Sequence, residues 1–354
     1  PFCAKALLSG AMAVRRHTAA VEKQGKALLA TLRPDDKVLV LITRNYGVSD
    51  PILNMGIPEL LLERGYKVIT LSHLPGHALD ISDEYDNLYY PFGQHILSGA
   101  KLIAHHPNLY AVYLTNHGCG PDTMLSHLFK QEMGDKPYLQ IEVDEHFSNV
   151  GVITRIEAFL NSLNHRPVEV LPKDFVLEQV DIRPCHLPAV PEKDFPLWLP
   201  PLGEYTASLT GYFRAQGVDA HALPHLSAHA LSLGRAETSA KEYLPFPALL
   251  GGILAQQEAD LAPAQFLIPQ TQGAEADGQY ARVIRAVLDR RGNQSAKLVS
   301  PMLETLPATA QDRDALFRAL LAGDILYAAL AAMRAGIAAA WDALPGWAQL
   351  HKAA

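Results

Sequence analysis

An α/β fold of two lobes, each a mostly parallel sheet wrapped by helices, is what the sequence predicts. Three observations carry it. Short, almost unbroken apolar runs such as Lys37–Ile42 and Leu109–Leu114 have the look of strands buried on both faces. Segments of helical period alternate with them, the order expected of a parallel sheet. Finally, a stretch with five prolines and no clear period, residues 166–194, separates two such alternations.

In order, residues 4–32 carry an Ala/Leu-rich helical pattern stopped by Pro34-Asp35-Asp36. The Lys37–Ile42 strand leads into a loop at 43–50, where Asp50 is set to cap and Pro51 to open a helix running to Gly65. Tyr66–Leu71 is the next strand, 72–90 a polar loop, and Phe92–Ala104 a helix. Leu109–Leu114 then breaks into Asn116-His117-Gly118-Cys119-Gly120-Pro121-Asp122. Glycines on either side of the cysteine allow turns that a Cβ would resist. A helix can start from Pro121, with Met124, Leu125, Leu128 and Phe129 at helical spacing. Pro137–Val143 is a fourth strand ending in Asp144-Glu145-His146, and Gly151–Leu160 reads as helix.

Past the prolines, strands are expected at Phe195–Leu199, Val218–Leu223, up to Ile268, and at Lys297–Val299. Helices are expected at Tyr205–Ala215, 238–258, Gln279–Arg291 and Asp312–Trp341. The domain reading is therefore 1–165 as a first lobe with its N-terminal helix, 166–194 as a crossing segment, 195–310 as a second lobe and 311–354 as a helical region. Both lobes are expected to be doubly wound, of Rossmann- or flavodoxin-like type, which places ligands beyond the carboxyl ends of the strands.

Composition excludes several classes. The 354 residues are 49% hydrophobic and 19% charged, enough for a sizeable core. A net charge of −7 without a basic stripe argues against a nucleic-acid partner. Three cysteines, Cys3, Cys119 and Cys185, make no disulfide framework and suit a reducing compartment, so cytoplasm is expected. No signal peptide is read and no apolar run is judged long enough to span a membrane. The chain opens on Pro1 and is taken as a piece of a longer polypeptide.

Three phrases occur in order at compatible spacing: NHGCGPD at 116–122, KPYLQIEVDEH at 136–146 and GVITRIEAFL at 151–160. Together they resemble the large proteins related to 2-hydroxyacyl-CoA dehydratases and their activases, in which ATP-dependent activase modules are joined to a dehydratase-like module. The resemblance implies a [4Fe–4S] cluster held by cysteines, an activase partner and an acyl-CoA substrate. The 43–61 segment resembles a GRPYN-type phrase of the family, keeping Asp50, Asn54, Gly56 and Pro58 but not the first residues.

The cluster positions have changed. Cys119 keeps its place in GCGPD. Where the family carries TSGKEC, residues 238–243 here end in Lys241-Glu242-Tyr243; where it carries GPCRFGQY, residues 273–280 run Gly273-Ala274-Glu275-Ala276-Asp277-Gly278-Gln279-Tyr280. Tyr243 and Glu275 thus stand at two cysteine positions, and Ala276 at an arginine. One thiolate, a phenol and a carboxylate are a hard, weak set for iron–sulfur, so loss of the cluster is expected, with Cys119 the one candidate metal ligand.

The remaining site residues have alternative readings. Arg44 is either an anion contact, for CoA or a carboxylate, or a solvated strand-end arginine. Asp144, Glu145 and His146 seldom converge on one ion from an extended chain, so helix capping and lobe contacts are the plainer roles. Arg155 is expected to pair with Asp144 or Glu145. Ser239 and Glu242 have capping-box spacing, and that helix start could attract a CoA phosphate. Acidic neighbours do not favour a nucleophilic thiol, so Cys119 is expected merely to pack where the lobes meet. A cleft gathering the loops at 43–50, 116–122, 144–151, 238–243 and 270–280 would hold Arg44, Asn116, Gly118, Gly120, Asp122 and the residues above. The function read from this is a dehydratase-like module with a degenerate cluster site and a binding or activase-docking role; the alternative is an active electron-accepting component.

Overall fold

A strand buried on both faces must be apolar at every position, and Val38–Ile42 (β1) meets that demand, with all five residues buried. In the computed structural model, which describes residues 2–116, 119–144, 149–172, 174–239, 241–271, 276–302 and 310–342, β1 lies at the centre of the first of two sheets. The chain divides into two units, Pro1–His186 with Gln272–Gln279, and Leu187–Thr271 with Tyr280–Ala354.

The first unit runs through α1 (Phe2–Leu29), β1, α2 (Asn45–Ser49), α3 (Ile57–Glu63), β2 (Lys67–Thr70), α4 (Pro91–His105), β3 (Leu109–Asn116), α5 (Gly120–Met133), β4 (Leu139–Val143) and α6 (Asn149–Asn164). The strands are parallel in the order β2-β1-β3-β4. Leu39 and Leu41 of β1, Val112 of β3 and Ile141 of β4 meet Leu61 of α3 and Ile156 of α6 in one core cluster. Alternation along the strands sends Val40 and Tyr113 to the other face, where Tyr113 packs on Phe129 of α5 with ring centroids 4.8 Å apart. The α/β class, the parallel sheets and the helices at both ends are as the sequence predicts.

The helix expected up to Gly65 is interrupted. Residues 52–65 form a turn and then α3, because Met55 and Gly56 take positive φ angles of 58° and 65°, which no α-helix accommodates. Asp50 does cap, its Oδ1 accepting from the amides of Ile52 and Leu53 at 2.9 and 3.1 Å, but it caps that turn. Residues 72–90 are less open than a polar loop: Leu74, Ile81, Tyr85 and Leu88 are buried. Beneath them Lys101 is buried between Glu84 and Glu132, at 2.6 and 2.8 Å. Its ammonium also reaches the Asp181 carbonyl, tying the segment after α6 to this unit.

The second unit contains β5 (Leu197–Leu199), α7 (Tyr205–Ala215), β6 (Ala220–Ala222), α8 (Ala228–Ala236), α9 (Pro245–Ala259), β7 (Ala264–Leu267), α10 (Tyr280–Arg290), β8 (Ala296–Val299) and α11 (Ala310–Asp342). Its sheet is again parallel, in the order β6-β5-β7-β8, so both units place their second strand outside the first. The helix expected at 238–258 begins only at Pro245, whose ring and missing N–H suit a first turn and oppose an earlier start. α8, for which no expectation was made, packs so closely on α9 that a Cβ on Gly234 would fall 1.8 Å from the Pro247 carbonyl oxygen.

α11 packs on α7 through Ala315, Leu316, Ala319 and Leu320, and leaves Phe317, Ile325 and Met333 exposed. Its stretch Gln311–Gly336 is, by length and composition, long and apolar enough to cross a membrane. That corrects the expectation that no apolar run reaches this length; a dense alanine content raises the hydropathy without bulky side chains.

Candidate functional site

In a sheet ordered β2-β1-β3-β4, the connections leave β1 and β3 in opposite directions, and the crevice between their carboxyl ends is where open α/β sheets take ligands. Arg44 follows β1 directly. Asn116 ends β3, Cys119 precedes the first turn of α5, and Asp122 lies within that turn. Topology thus gathers residues some 75 positions apart at one sheet edge.

The Arg44 guanidinium organises this edge. One Nη2 donates to Asp122 Oδ1 at 2.9 Å and to Cys119 Sγ at 2.7 Å. Its plane lies over the Phe92 ring of α4, 4.6 Å from the centroid. Asp122 is 6% exposed and Arg44 23%, so the pair is substantially withdrawn from water. Burial pulls the Arg44 pKa down, but the hydrogen bond and charge of Asp122 outweigh it and hold the guanidinium above its ordinary value. The reading of Arg44 as a solvated arginine is therefore replaced: its carboxylate partner is Asp122 of the same chain. The other Asp122 oxygen accepts from the Asn116 amide at 3.4 Å, and the Asn116 side chain donates to the Tyr46 hydroxyl at 2.7 Å, bridging the two loops.

Among the described residues, two donors here find no acceptor. Arg44 Nε and the Tyr113 hydroxyl are both buried without a hydrogen-bond partner. Tyr113 is 1% exposed. Burial drives its pKa well above the ordinary phenol value; the charge of Asp122 adds to that and Arg44 opposes it. Phe92, Tyr113 and Tyr46 are not among the site residues the sequence predicts. The one available signal was that Tyr113 stands three residues before Asn116 on the same strand.

Other expected residues fall elsewhere. Gly120 is buried in the first turn of α5. Arg155 donates to the Gln140 carbonyl of β4 at 2.5 Å, where pairing with Asp144 or Glu145 was expected. Asp144 is half-buried just beyond β4. Gly118, Glu145, His146 and Glu275 lie outside the described residues. Gly278 is buried in a short 3-10 turn, Ala276–Gln279, that packs against α5 within the first unit. Lys241, Glu242, Tyr243 and Tyr280 belong to the second unit. There the Glu242 carboxylate accepts from the amide and hydroxyl of Ser239. The capping-box contact thus forms, but in the turn before α9. Tyr243 is 49% exposed, and Tyr280 packs on Phe246 at 4.9 Å.

An iron–sulfur cluster of the cubane type needs three or four thiolates. Among the described residues, Cys119 is engaged by Arg44, Cys3 lies exposed on α1, and Cys185 is half-buried with its amide on the Asp83 carbonyl. Among the described residues, no group of three or more His, Cys, Asp or Glu is placed to hold a metal ion.

Residues 2–74 match the model of a family described as a CoA enzyme activase uncharacterised domain. The match supports a relationship to CoA-activase proteins over α1 to β2, a span that includes Arg44 but stops well short of half the chain. No curated protein and no solved structure matches this chain.

Proposed function

We propose that this chain is a dehydratase-like module of a 2-hydroxyacyl-CoA dehydratase system that works without an iron–sulfur cluster and docks an ATP-dependent activase. One observation supports it above the others: the thiol at the GCGPD position is tied to an arginine–carboxylate pair instead of facing further thiols. An electron-accepting module needs sulfur ligands converging on its cluster, and Tyr243 and Glu275, at the two other positions where the resemblance implies cysteines, offer none. The similarity of residues 2–74 to a CoA enzyme activase domain is consistent with a place beside an activase.

Anaerobic preparation followed by iron and acid-labile sulfide analysis tests the first half. The expected product is colourless and nearly iron-free. About four irons per chain with a broad brown absorption would restore the electron-accepting alternative. For the second half, an ATP-loaded activase of a 2-hydroxyacyl-CoA dehydratase should co-elute with the chain on a sizing column; separate elution at micromolar concentrations would remove the docking role.

A further inference from the structure

We propose that this chain forms a two-fold dimer through α1, in which the first turns of each α1 enter a groove beside the α1 of the other copy. Neither a cluster nor an activase takes part, so the pairing stands apart from the proposed function. Three features of the first unit carry it.

The first is an apolar segment without cover. Every residue from Cys3 to His17 is exposed, and Ala6–Val14 holds no charged residue. Leu7, Leu8, Met12 and Val14, spread around the helix, are 75, 63, 51 and 65% exposed. A helix that is apolar on all sides belongs inside a packed structure. The second feature is the groove. Val14, Thr18 and Val21 of α1 line it together with Val48, Ser72 and Ala78, and its volume is about 1010 Å³. A helix about 10 Å across fills roughly 420 Å³ per turn. The groove therefore holds about two turns, the length of Ala4–Ala11.

The third feature joins these two. Ala4, Leu7, Ala11, Val14, Thr18 and Val21 follow one another at alternating steps of three and four, the spacing at which helices pair side by side. This seam is uncharged, and helical spacing puts Lys5, Arg16 and Lys23 on the opposite face. It also continues a contact already made. Gly25, the next member of the series, packs so closely on the unit that a Cβ there would fall 1.9 Å from the His73 carbonyl oxygen. An antiparallel pair with its two-fold axis between Met12 and Ala13 sets Leu7 against the partner's Thr18, Ala4 against the partner's Val21 and Ala11 against the partner's Val14. Each contact occurs twice, as an isologous interface requires. A parallel pair would leave both grooves empty. The cover is on the order of 600 Å² per copy, which the two-fold doubles to about 1,200 Å², the lower end for specific dimers.

Sedimentation velocity of the intact chain, under reducing conditions and across the micromolar range, is the test. The expected result is a reversible monomer–dimer equilibrium. Leu7→Glu places a charge in the seam at a position exposed in the single chain, and should raise the dissociation constant about tenfold or more. Arg16→Glu, on the opposite face, should leave it unchanged. Register is read by oxidising a Cys3→Ser chain that also carries Leu7→Cys and Thr18→Cys. Positions 7 and 18 lie roughly 16 Å apart along one helix, so a disulfide between them forms only across two copies, and peptide mass mapping should find it. A monomer throughout, a dimer indifferent to Leu7→Glu, or a disulfide joining position 7 to position 7 would overturn the proposal. A monomer that sediments with vesicles of phosphatidylcholine and anionic phosphatidylglycerol would overturn it in favour of a bilayer surface. An iron-free, activase-binding monomer refutes this inference alone.

Discussion

At the scale of single residues, His95 shows what burial does to an ionisable group. Its ring is 8% exposed, stacks on His77 at 3.6 Å between centroids, and leaves Nε2 unpartnered. Burial, with the charge of His77 adding to it, lowers its pKa from 6.5 to about 3. The unfolded chain therefore takes up a proton near pH 6.5 that the folded chain refuses until about pH 3. Stability is unaffected above pH 6.5 and falls as pH drops through that window, by on the order of 4–5 kcal/mol in full. His106, lowered to about 4, acts in the same direction. The urea midpoint should thus fall steeply between pH 6.5 and 4, and His95→Gln should flatten that slope; an identical slope in the variant would contradict the assignment. None of this is legible locally, since an isolated histidine in HIL gives no sign of its depth. Arg44 makes the same point, because its carboxylate lies 78 residues further along the chain.

At the scale of elements, glycine separates two kinds of helix. Gly251 in α9 faces α8 so closely that a Cβ would lie 1.9 Å from the Ala230 carbonyl oxygen, whereas a Cβ on Gly10 in the exposed part of α1 would meet nothing within 4 Å. Gly251→Ala should destabilise by about 3 kcal/mol or more, in the range of overpacked cores. Gly10→Ala should stabilise by about 1 kcal/mol, since only helix propensity is at stake. Chemical denaturation of both variants checks the pair, and similar shifts would refute the close packing. Periodicity locates α4 and α10 to within a residue or two, and the start of α5 to within one. It fails at residues 52–65, where the break depends on the backbone sign at Met55 and Gly56, and it passes over α8, whose close contact is with α9 and not with its own neighbours in sequence.

At the scale of the whole molecule, the chain's return to its first unit matters most. Ala276–Gln279 follows β7 of the second sheet yet packs against α5, and Gln279 Nε2 donates to the Asn87 carbonyl at 2.8 Å. A fragment ending at His186 lacks that turn, and its α5 amides should exchange with deuterium faster than in the full chain. Equal exchange would mean that the returning segment adds nothing to the helix beneath the switch point.

What the sequence determined by itself is whatever a local pattern enforces. Strands buried on both faces have to be unbroken apolar runs, as in Val38–Ile42. Helices between them have to repeat their apolar residues at helical spacing. Tertiary structure alone decided the partners: Asp122 and Cys119 for Arg44, the unmet donors of Tyr113 and Arg44, the interlocked glycines of α8 and α9, and the unit that Gln279 joins. Each of these pairs residues remote in sequence, and neither period nor propensity carries information about which side chains a sheet edge will bring within 3 Å.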